Sequence, residues 1–179
     1  MKLNIGCGKI NFGDDWIHID GSNYPHISSH DIVNIPFEKN SVDLIYASHV
    51  IEYFDREEIV NVLNKWRDVL KPNGIIRIAV PDFEGCAKLY VNDNYPLSTF
   101  ASMFYGKWKM TEEKTIYHKT IYDYQSLKKV LEDNGFYDVK HWDWRKVEHG
   151  KFDDYSQAYL PHLDKKTGTL ISLNLEATK

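Results

Sequence analysis

The chain has 179 residues, of which 42% are hydrophobic and 27% charged, and its formal net charge is -4 at pH 7. This length is typical of one domain that buries a sizeable core, so we predict a single domain over residues 1–179. The charge gives no electrostatic footprint for nucleic acid or an anionic membrane, and no apolar run approaches the ~20 residues of a spanning helix. The two cysteines, Cys7 and Cys86, form neither a CxxC motif nor a disulfide framework, which predicts a reduced, cytoplasmic protein.

The first apolar run of the chain ends in Gly6-Cys7-Gly8. This pattern predicts a buried strand that breaks into a tight loop whose backbone a ligand can approach, although an ordinary strand-to-turn corner is the alternative. A second, alternating strand ends at Asp20, where nucleotide-binding α/β folds carry an acid that accepts hydrogen bonds from ribose hydroxyls. The short distance from Gly8 to Asp20, with Asn11 at the third position of the dinucleotide fingerprint, disfavours NAD.

Two further strands and an amphipathic helix follow. We predict a short third strand that ends at residues 30–32 and a fourth strand over 42–48, whose nearly continuous apolar run suits a parallel sheet covered on both faces. Asp55 and Glu58 have the spacing of a capping box at the start of a helix. Its buried face is predicted from apolar residues at spacings of three and four: Ile59, Leu63, Trp66 and Leu70.

The second half of the chain is richer in aromatic residues. A fifth strand over 75–80 ends at Pro81-Asp82, and residues 83–122 loosen into helical fragments that we interpret as an insertion over the ligand edge of the sheet. A helix is predicted over 123–134, with closing strands over 139–144 and 169–177 and a polar, turn-rich segment over 151–168 between them. The aromatic residues of the insertion are Tyr90, Tyr95, Phe100, Phe104, Tyr105, Trp108 and Tyr117.

The motifs together resemble the class I methyltransferases that use S-adenosylmethionine. Residues 4–8 are similar to the first motif of that family, Asp20 to its ribose acid, residues 30–37 to its adenine-facing segment, and residues 42–53 to its fourth strand and following turn. The resemblance implies an α/β, three-layer Rossmann-like methyltransferase fold. Its sheet would have seven mostly parallel strands with an antiparallel last strand, and the usual helix before the first strand is missing from this sequence.

The resemblance also implies S-adenosylmethionine as the cofactor, with S-adenosylhomocysteine as product; the sequence leaves a divalent metal ion open and we do not predict one. Asn4 departs from the family pattern, because many relatives carry an acid there, and Tyr53 stands where many carry His. The cofactor-binding residues that the resemblance implies are Asn4, Gly6, Cys7, Gly8, Asp20, Asp31, Ile32, Ser48 and His49.

A narrower resemblance, to small methyltransferases of polysaccharide and lipopolysaccharide assembly, implies the acceptor. It rests on the short Gly8–Asp20 connection and on residues 153–156 ahead of residues 170–176. Some members of that group are fused to glycosyltransferases, so we expect a sugar or glycan acceptor and a glycosyltransferase domain in the same polypeptide or pathway. A small metabolite, a lipid or an amine as acceptor, or a non-catalytic cofactor-binding module, are the alternatives.

An alcohol acceptor benefits from a general base with a pKa near neutrality, which makes histidine the first candidate. We predict His118, His49 and Asp82 as catalytic residues, against the alternative that a histidine merely binds backbone or that an aspartate caps a turn. Aromatic rings and carboxylates suit the apolar faces and hydroxyls of sugars. The predicted acceptor-binding residues are Asp153, Asp154, Tyr122 and Trp108; a carboxylate pair such as the first two would also suit Mg²⁺.

Overall fold

A computed structural model describes residues 1–110 and 112–179 of the chain. Within these ranges four α-helices and eleven strands form, joined by short 3-10 turns. The helices are α1 (Glu58–Val69), α2 (Phe83–Asn92), α3 (Leu97–Tyr105) and α4 (Tyr124–Asp133). The strands are β1 (Lys2–Ile5), β2 (Trp16–Ile19), β3 (Ile27–Ser29), β4 (Val42–Ser48), β5 (Leu70–Pro81), β6 (Trp108–Lys109), β7 (Thr115–Ile116), β8 (Tyr137–His141), β9 (Tyr159–Leu160), β10 (Thr169–Leu170) and β11 (Ser172–Thr178).

Seven strands form one sheet in the order β3-β2-β1-β4-β5-β11-β8. The pairs from β3 to β5 are parallel, whereas β11 runs antiparallel to both of its neighbours. The predicted sheet, seven-stranded and mostly parallel with an antiparallel last strand, is therefore confirmed. The strand order reverses between β1 and β4, and in open α/β sheets the crevice at such a switch point, beyond the carboxyl ends of the strands, binds ligands.

One face of the sheet is covered by α1 and α4. The predicted apolar stripe of α1 is buried, with Ile59, Leu63 and Trp66 at most 2% exposed, and it packs with Leu127 and Leu131 of α4 in the main hydrophobic cluster. The strands contribute mainly alternate residues to this cluster, because successive side chains of a strand point to opposite faces of the sheet. Burial of this continuous apolar face is the main stabilising contribution to the fold.

The opposite face of the sheet carries an aromatic cluster. Phe12, Trp16, Tyr46 and Trp142 are buried there, and the ring of His149 lies 4.2 Å from that of Tyr46. The segments that cover this face are the loop after β1 and 3-10 turns within residues 144–157. The third layer of the fold is thus built from short turns and rings.

The insertion, described over residues 83–110 and 112–122, follows the carboxyl end of β5, and its role in an acceptor site stays a prediction. Its helices α2 and α3 pack against each other through Cys86 and Phe100, both at most 1% exposed, and against Ile171. The insertion also contains an antiparallel ladder between β6 and β7, which the sequence did not predict because each strand is only two residues long. In the sequence, this ladder lies between α3 and Tyr122, a residue that forms an isolated parallel bridge with Asp82.

Four predicted boundaries are wrong. The fifth strand, predicted over 75–80, spans Leu70–Pro81, so Leu70 belongs to β5 and not to the buried face of α1, because its backbone is already extended. The third strand ends at Ser29 and not at residue 32, because the carboxylate of Asp31 accepts hydrogen bonds from the next backbone N–H groups and turns the chain. The strand predicted over 139–144 spans Tyr137–His141. The last predicted strand, over 169–177, divides into β10 and β11, which pair with different partners.

The capping box at the start of α1 forms as predicted. Asp55 Oδ1 accepts a hydrogen bond from the N–H of Glu58, and Glu58 Oε2 accepts one from the N–H of Asp55. Among the described residues, no helix is long and apolar enough to cross a membrane.

Candidate active site

The glycine loop after β1 has a backbone that lacks side chains at two positions, so a ligand can lie close to it. Gly6 and Gly8 both have positive φ, 69° and 52°, a region that residues with a Cβ rarely adopt. The N–H of Gly6 donates to the carbonyl of Ile19 at 2.7 Å, and that of Gly8 to Oδ2 of Asp20 at 2.8 Å. A Cβ at Gly6 would also clash with Val50. The loop is thus held against the end of β2 and needs glycine there.

Asp20 is the polar anchor of this region. It is 7% exposed, and Oδ1 accepts a hydrogen bond from the N–H of Ser22 at 2.7 Å while Oδ2 holds the N–H of Gly8. An ionised carboxylate has about four acceptor sites, so two remain for the hydroxyls of a ribose. The glycine loop and Asp20 together therefore fit the nucleoside and amino-acid parts of S-adenosylmethionine.

The other predicted cofactor residues have varied surroundings. Burial raises the pKa of Cys7 to about 12, so the thiol is neutral; its Sγ lies 3.8 Å from Nε2 of His26. Asn4 is 3% exposed within β1. The carboxylate of Asp31 is exposed and already accepts hydrogen bonds from Asn34 in its own loop. The carbonyl of Ile32 accepts a hydrogen bond from the indole N–H of Trp66, on α1, at 2.7 Å. Contacts from Asp31 and Ile32 to an adenine stay predictions.

Trp108 lies over the glycine loop. A Cβ at Gly8 would meet its ring at 4.0 Å, and a Cβ at Gly21, beyond β2, would clash with Met110, which follows β6. The β6–β7 ladder therefore covers the donor side of the crevice. A contact from Trp108 to the acceptor stays a prediction.

His49 occupies the carboxyl end of β4, next to Ser48. Its backbone has φ of 54°, unusual for a residue other than glycine, and its N–H donates to the carbonyl of Ala79 at 2.8 Å. Its side chain is 13% exposed, with Nε2 3.4 Å from Oγ of Ser172 and the ring 5.2 Å from that of Tyr155. The imidazole therefore sits at the crevice, in a backbone conformation of the kind that clusters at functional sites.

Glu52 lies directly behind His49 and was not among the predicted site residues. Its side chain is 1% exposed, and neither carboxyl oxygen has a hydrogen-bond partner among the residues that the structure describes. Oε1 is 3.5 Å from Nδ1 of His49 and 3.7 Å from Nε2 of His118. The spacing of three between His49 and Glu52, in a turn after a strand, is the signal that could have indicated their proximity.

His118 approaches Glu52 from the insertion. Nδ1 lies 2.8 Å from the carbonyl of Met103; since a carbonyl only accepts, this nitrogen carries the hydrogen and Nε2 keeps a lone pair in the neutral ring. The N–H groups of Lys119 and Thr120 both donate to the backbone carbonyl of Glu52, at 2.7 and 3.1 Å. The insertion is thereby tied to the turn after β4, and both nitrogens of His118 face protein groups.

Burial controls the protonation of this cluster. It raises the pKa of Glu52 to about 8, lowers the pKa of His49 to about 3, and lowers the pKa of His118 below its usual value. At neutral pH the two imidazoles are therefore neutral and the cluster holds one titrating proton, on the carboxyl group. Of the three predicted bases, His49 lies at the crevice, and catalysis by His49 or His118 stays a prediction.

The backbones of Asp82 and Tyr122 form an isolated parallel bridge near Glu52, His49 and His118. Oδ1 of Asp82 accepts the N–H of Glu84 and so caps α2, and burial raises the pKa of the carboxyl group. Tyr122 is 2% exposed, and its hydroxyl has no hydrogen-bond partner in the described part of the chain. Catalysis by Asp82 and acceptor binding by Tyr122 stay predictions.

The side chains of Asp153 and Asp154 lie in different surroundings. Asp153 is exposed and pairs with Lys165 at 2.9 Å, whereas Oδ2 of Asp154 accepts the hydroxyl of Tyr46 at 2.6 Å and Oδ1 accepts the N–H of Ser156. Burial raises the pKa of Asp154. Within residues 1–110 and 112–179, no three His, Cys, Asp or Glu side chains converge as metal ligands.

Gly106 is expected to be required for the position of His118. Its φ is 49°, and a Cβ would clash with the imidazole. Gly106→Ala should lower the free energy of unfolding by about 1–3 kcal/mol and reduce kcat, because the ring must leave Glu52. Chemical denaturation and kcat measure the two effects. Gly13→Ala is the matched control, since Gly13 has φ of 93° but nothing within 4 Å of a Cβ; an equal loss of kcat there would contradict the proposed cause.

Comparisons with known proteins agree with this fold. Residues 10–78, less than half of the chain, match the family model described as a methyltransferase domain. No curated protein matches the chain.

Solved structures with the same fold cover almost the whole chain. A SAM-dependent methyltransferase from Archaeoglobus fulgidus is 18% identical, with a TM-score of 0.56 over 99% of this chain and 85% of that one. One from Methanosarcina mazei is 16% identical, with a TM-score of 0.58 over 99% and 91%. The Burkholderia thailandensis 1,6-didemethyltoxoflavin-N1-methyltransferase, solved with S-adenosylhomocysteine bound, is 13% identical, with a TM-score of 0.55 over 99% and 70%. These similarities establish the fold.

Proposed function

We propose that this chain, a class I S-adenosylmethionine-dependent methyltransferase, methylates a hydroxyl group of a sugar in a glycan or glycan precursor. The observation that carries the sugar assignment is the exposed ring of Tyr155, 64% exposed and 5.2 Å from the ring of His49. An exposed aromatic ring beside a base suits an acceptor that offers apolar C–H faces between hydroxyls.

The residues of this chain would divide the chemistry between two sides of the crevice. S-adenosylmethionine, when bound, supplies a methyl group on an already activated sulfonium. The glycine loop and Asp20 would hold the donor, and the covering ladder at Trp108 would limit the access of water to it. His49 would accept the hydroxyl proton at Nε2, with Nδ1 turned toward Glu52. The main contribution of the protein is to hold donor and acceptor in line, at attack distance.

A nitrogen acceptor is the second candidate. A fold neighbour named as an N1-methyltransferase is solved with the heterocycle 1,6-didemethyltoxoflavin, so this fold accommodates a flat ring, and Tyr155 could stack on one. The neutral histidines favour the hydroxyl, because an alcohol holds its proton far more tightly than a heterocyclic nitrogen near neutral pH and gains more from a base.

The protein is further proposed to act in the cytoplasm, beside a glycosyltransferase domain in the same polypeptide or pathway. This part of the proposal rests on the resemblance to methyltransferases of polysaccharide assembly. The two buried cysteines, Cys7 and Cys86, are unpaired and suit a reducing compartment.

S-adenosylhomocysteine is expected to stabilise the native protein. A ligand that binds only the native state at about 100 times its Kd adds about 2.7 kcal/mol, which raises Tm by about 5–10 °C for a chain of this size. A thermal-shift titration measures the effect, with adenosine and ATP as comparison ligands. No rise in Tm at saturating S-adenosylhomocysteine would contradict the cofactor assignment.

The acceptor is identified by transfer of a labelled methyl group to a panel of sugars, nucleotide sugars, aromatic amines and nitrogen heterocycles. Product formation on a sugar, lost in Tyr155→Ala but retained in Tyr137→Ala, is the expected result. Tyr137 is the control because it is similarly exposed, at 51%, but lies on the distant strand β8. Product only on the heterocycles would favour the second candidate.

A further inference from the structure

The carboxyl group of Glu52 is a buried polar group that the fold leaves unsatisfied. Buried carboxyl oxygens are nearly always hydrogen-bonded, and one without partners costs several kcal/mol unless it is neutral. Its backbone carbonyl, by contrast, accepts two N–H groups. The fold thus holds the turn at Glu52 firmly while its side chain faces two imidazoles at distances slightly longer than a hydrogen bond.

The groups that face Glu52 come from three segments. His49 stands at the end of β4, Tyr53 follows Glu52 in the same turn, and His118 and Tyr122 come from the end of the insertion. Burial, and after it the nearby carboxyl group, raises the pKa of both tyrosines, so they stay neutral. The ammonium of Lys119 is drawn away to Glu58, at 2.7 Å. Among the described residues that face this point, the carboxyl group of Glu52 is therefore the one that exchanges a proton near neutral pH, while both imidazoles are neutral there.

Resting on the proposed function, we propose that Glu52 is a positioning residue that orients His49 through Nδ1 and must lose its own proton before His49 can keep the proton of the acceptor hydroxyl. His118, anchored on the carbonyl of Met103, presents the lone pair of Nε2 to Glu52 from its other side and can accept the carboxyl proton only while Glu52 is protonated. The arrangement resembles in logic the carboxylate that stabilises a catalytic imidazolium. The distances of 3.5 and 3.7 Å shorten when the acceptor fills the crevice.

The proton balance follows from this arrangement. During transfer the acceptor O–C bond forms, the donor S–C bond breaks with its electron pair left on sulfur, and the hydroxyl proton goes to Nε2 of His49. With Glu52 ionised, the resulting imidazolium is paired and the cluster is neutral. With Glu52 protonated, the imidazolium is buried and unpaired, which is costly. Activity therefore requires the ionised carboxylate.

The test compares the pH profile of kcat in the wild-type protein and in Glu52→Gln, with the sugar acceptor. Wild-type kcat should rise tenfold per pH unit to a plateau with a midpoint near the pKa of Glu52, about 8. Glu52→Gln should be at least 100-fold slower on the plateau and show no midpoint there. Glu132→Gln, an exposed carboxyl on α4, is the matched control and should keep the wild-type profile. A midpoint near 8 that persists in Glu52→Gln overturns the proposal.

A second measurement needs no acceptor and so separates this proposal from the proposed function. Histidine Cε1–H resonances, followed by NMR against pH with S-adenosylhomocysteine present, should show one shared transition near 8 on the signals of His49 and His118. Glu52→Gln should abolish the transition. Independent titration of both signals near 6.5 overturns the proposal, even if methyl transfer is found. So does loss of the wild-type transition with EDTA and its return with Mg²⁺, which would make Glu52 a metal ligand.

Discussion

Replacing His49 by asparagine is expected to lower kcat by about 10²–10⁴-fold and to leave the Kd of S-adenosylhomocysteine within about twofold. A positioned general base contributes about this much, and its loss affects the transition state more than the binding of the donor. Asparagine suits the position because its side chain tolerates the left-handed backbone that His49 adopts, with φ of 54°. Single-turnover methyl transfer measures the rate, and calorimetric titration measures the Kd.

The control for this experiment is His162→Asn, an exposed histidine after β9 that should keep wild-type activity. His118→Asn should also lower kcat, through the displacement of Glu52. Unchanged kcat in His49→Asn would exclude His49 as the base and move that role to His118 or Asp82. A weakened Kd in His49→Asn would instead support the implied contact between His49 and the cofactor.

The donor side of the site could be predicted from the sequence because its parts are local. The glycine loop and Asp20 are joined by a short connection, and the parallel pairing of β1 with β2 brings their carboxyl ends together. The apolar runs of β4 and β5, and the apolar stripe and capping residues of α1, are also local. Such features depend on neighbours a few residues apart, which a sequence displays directly.

The acceptor side could be predicted only in part, because its contacts join distant segments. His118 meets Glu52 across 66 positions, and nothing in the spacing of either residue indicates the pairing. The tautomer of His118 depends on a hydrogen bond to the carbonyl of Met103. Because every residue has a backbone carbonyl, the sequence does not indicate which one the histidine binds. Asp153 and Asp154 show the converse: residues adjacent in sequence are held by Lys165 and by Tyr46 in different surroundings.

The two sides also differ in how clearly the sequence displays the glycines on which they depend. Gly6 and Gly8 form a visible motif, whereas Gly106 is a single glycine after a helix, where a C-terminal stop is the ordinary interpretation. Its closeness to His118 emerges only once the chain returns through the β6–β7 ladder. The proposed acceptor side of the site is therefore the side formed by tertiary contacts between distant segments.

Replacing Asp20 by asparagine is expected to raise the Kd of S-adenosylhomocysteine by about 10²-fold, or about 3 kcal/mol. Hydrogen bonds to a charged group contribute about 1.5–3 kcal/mol each. The carboxylate holds the N–H groups of Gly8 and Ser22 and is positioned for ribose hydroxyls as well. An amide keeps one acceptor oxygen but presents an NH₂ group to donors, so at least one of these bonds is lost. Calorimetric titration measures the Kd.

Two exposed aspartates separate this effect from a change of net charge. Asp15→Asn removes the same charge from the loop before β2 and should leave the Kd unchanged. Asp31→Asn should weaken binding far less than Asp20→Asn, because Asp31 is exposed and its carboxylate is already bonded to Val33 and Asn34. Equal losses in Asp20→Asn and Asp31→Asn would mean that the two carboxylates hold the cofactor equally. Unchanged binding in Asp20→Asn would show that the glycine loop keeps its conformation without the carboxylate and would remove Asp20 from the cofactor site.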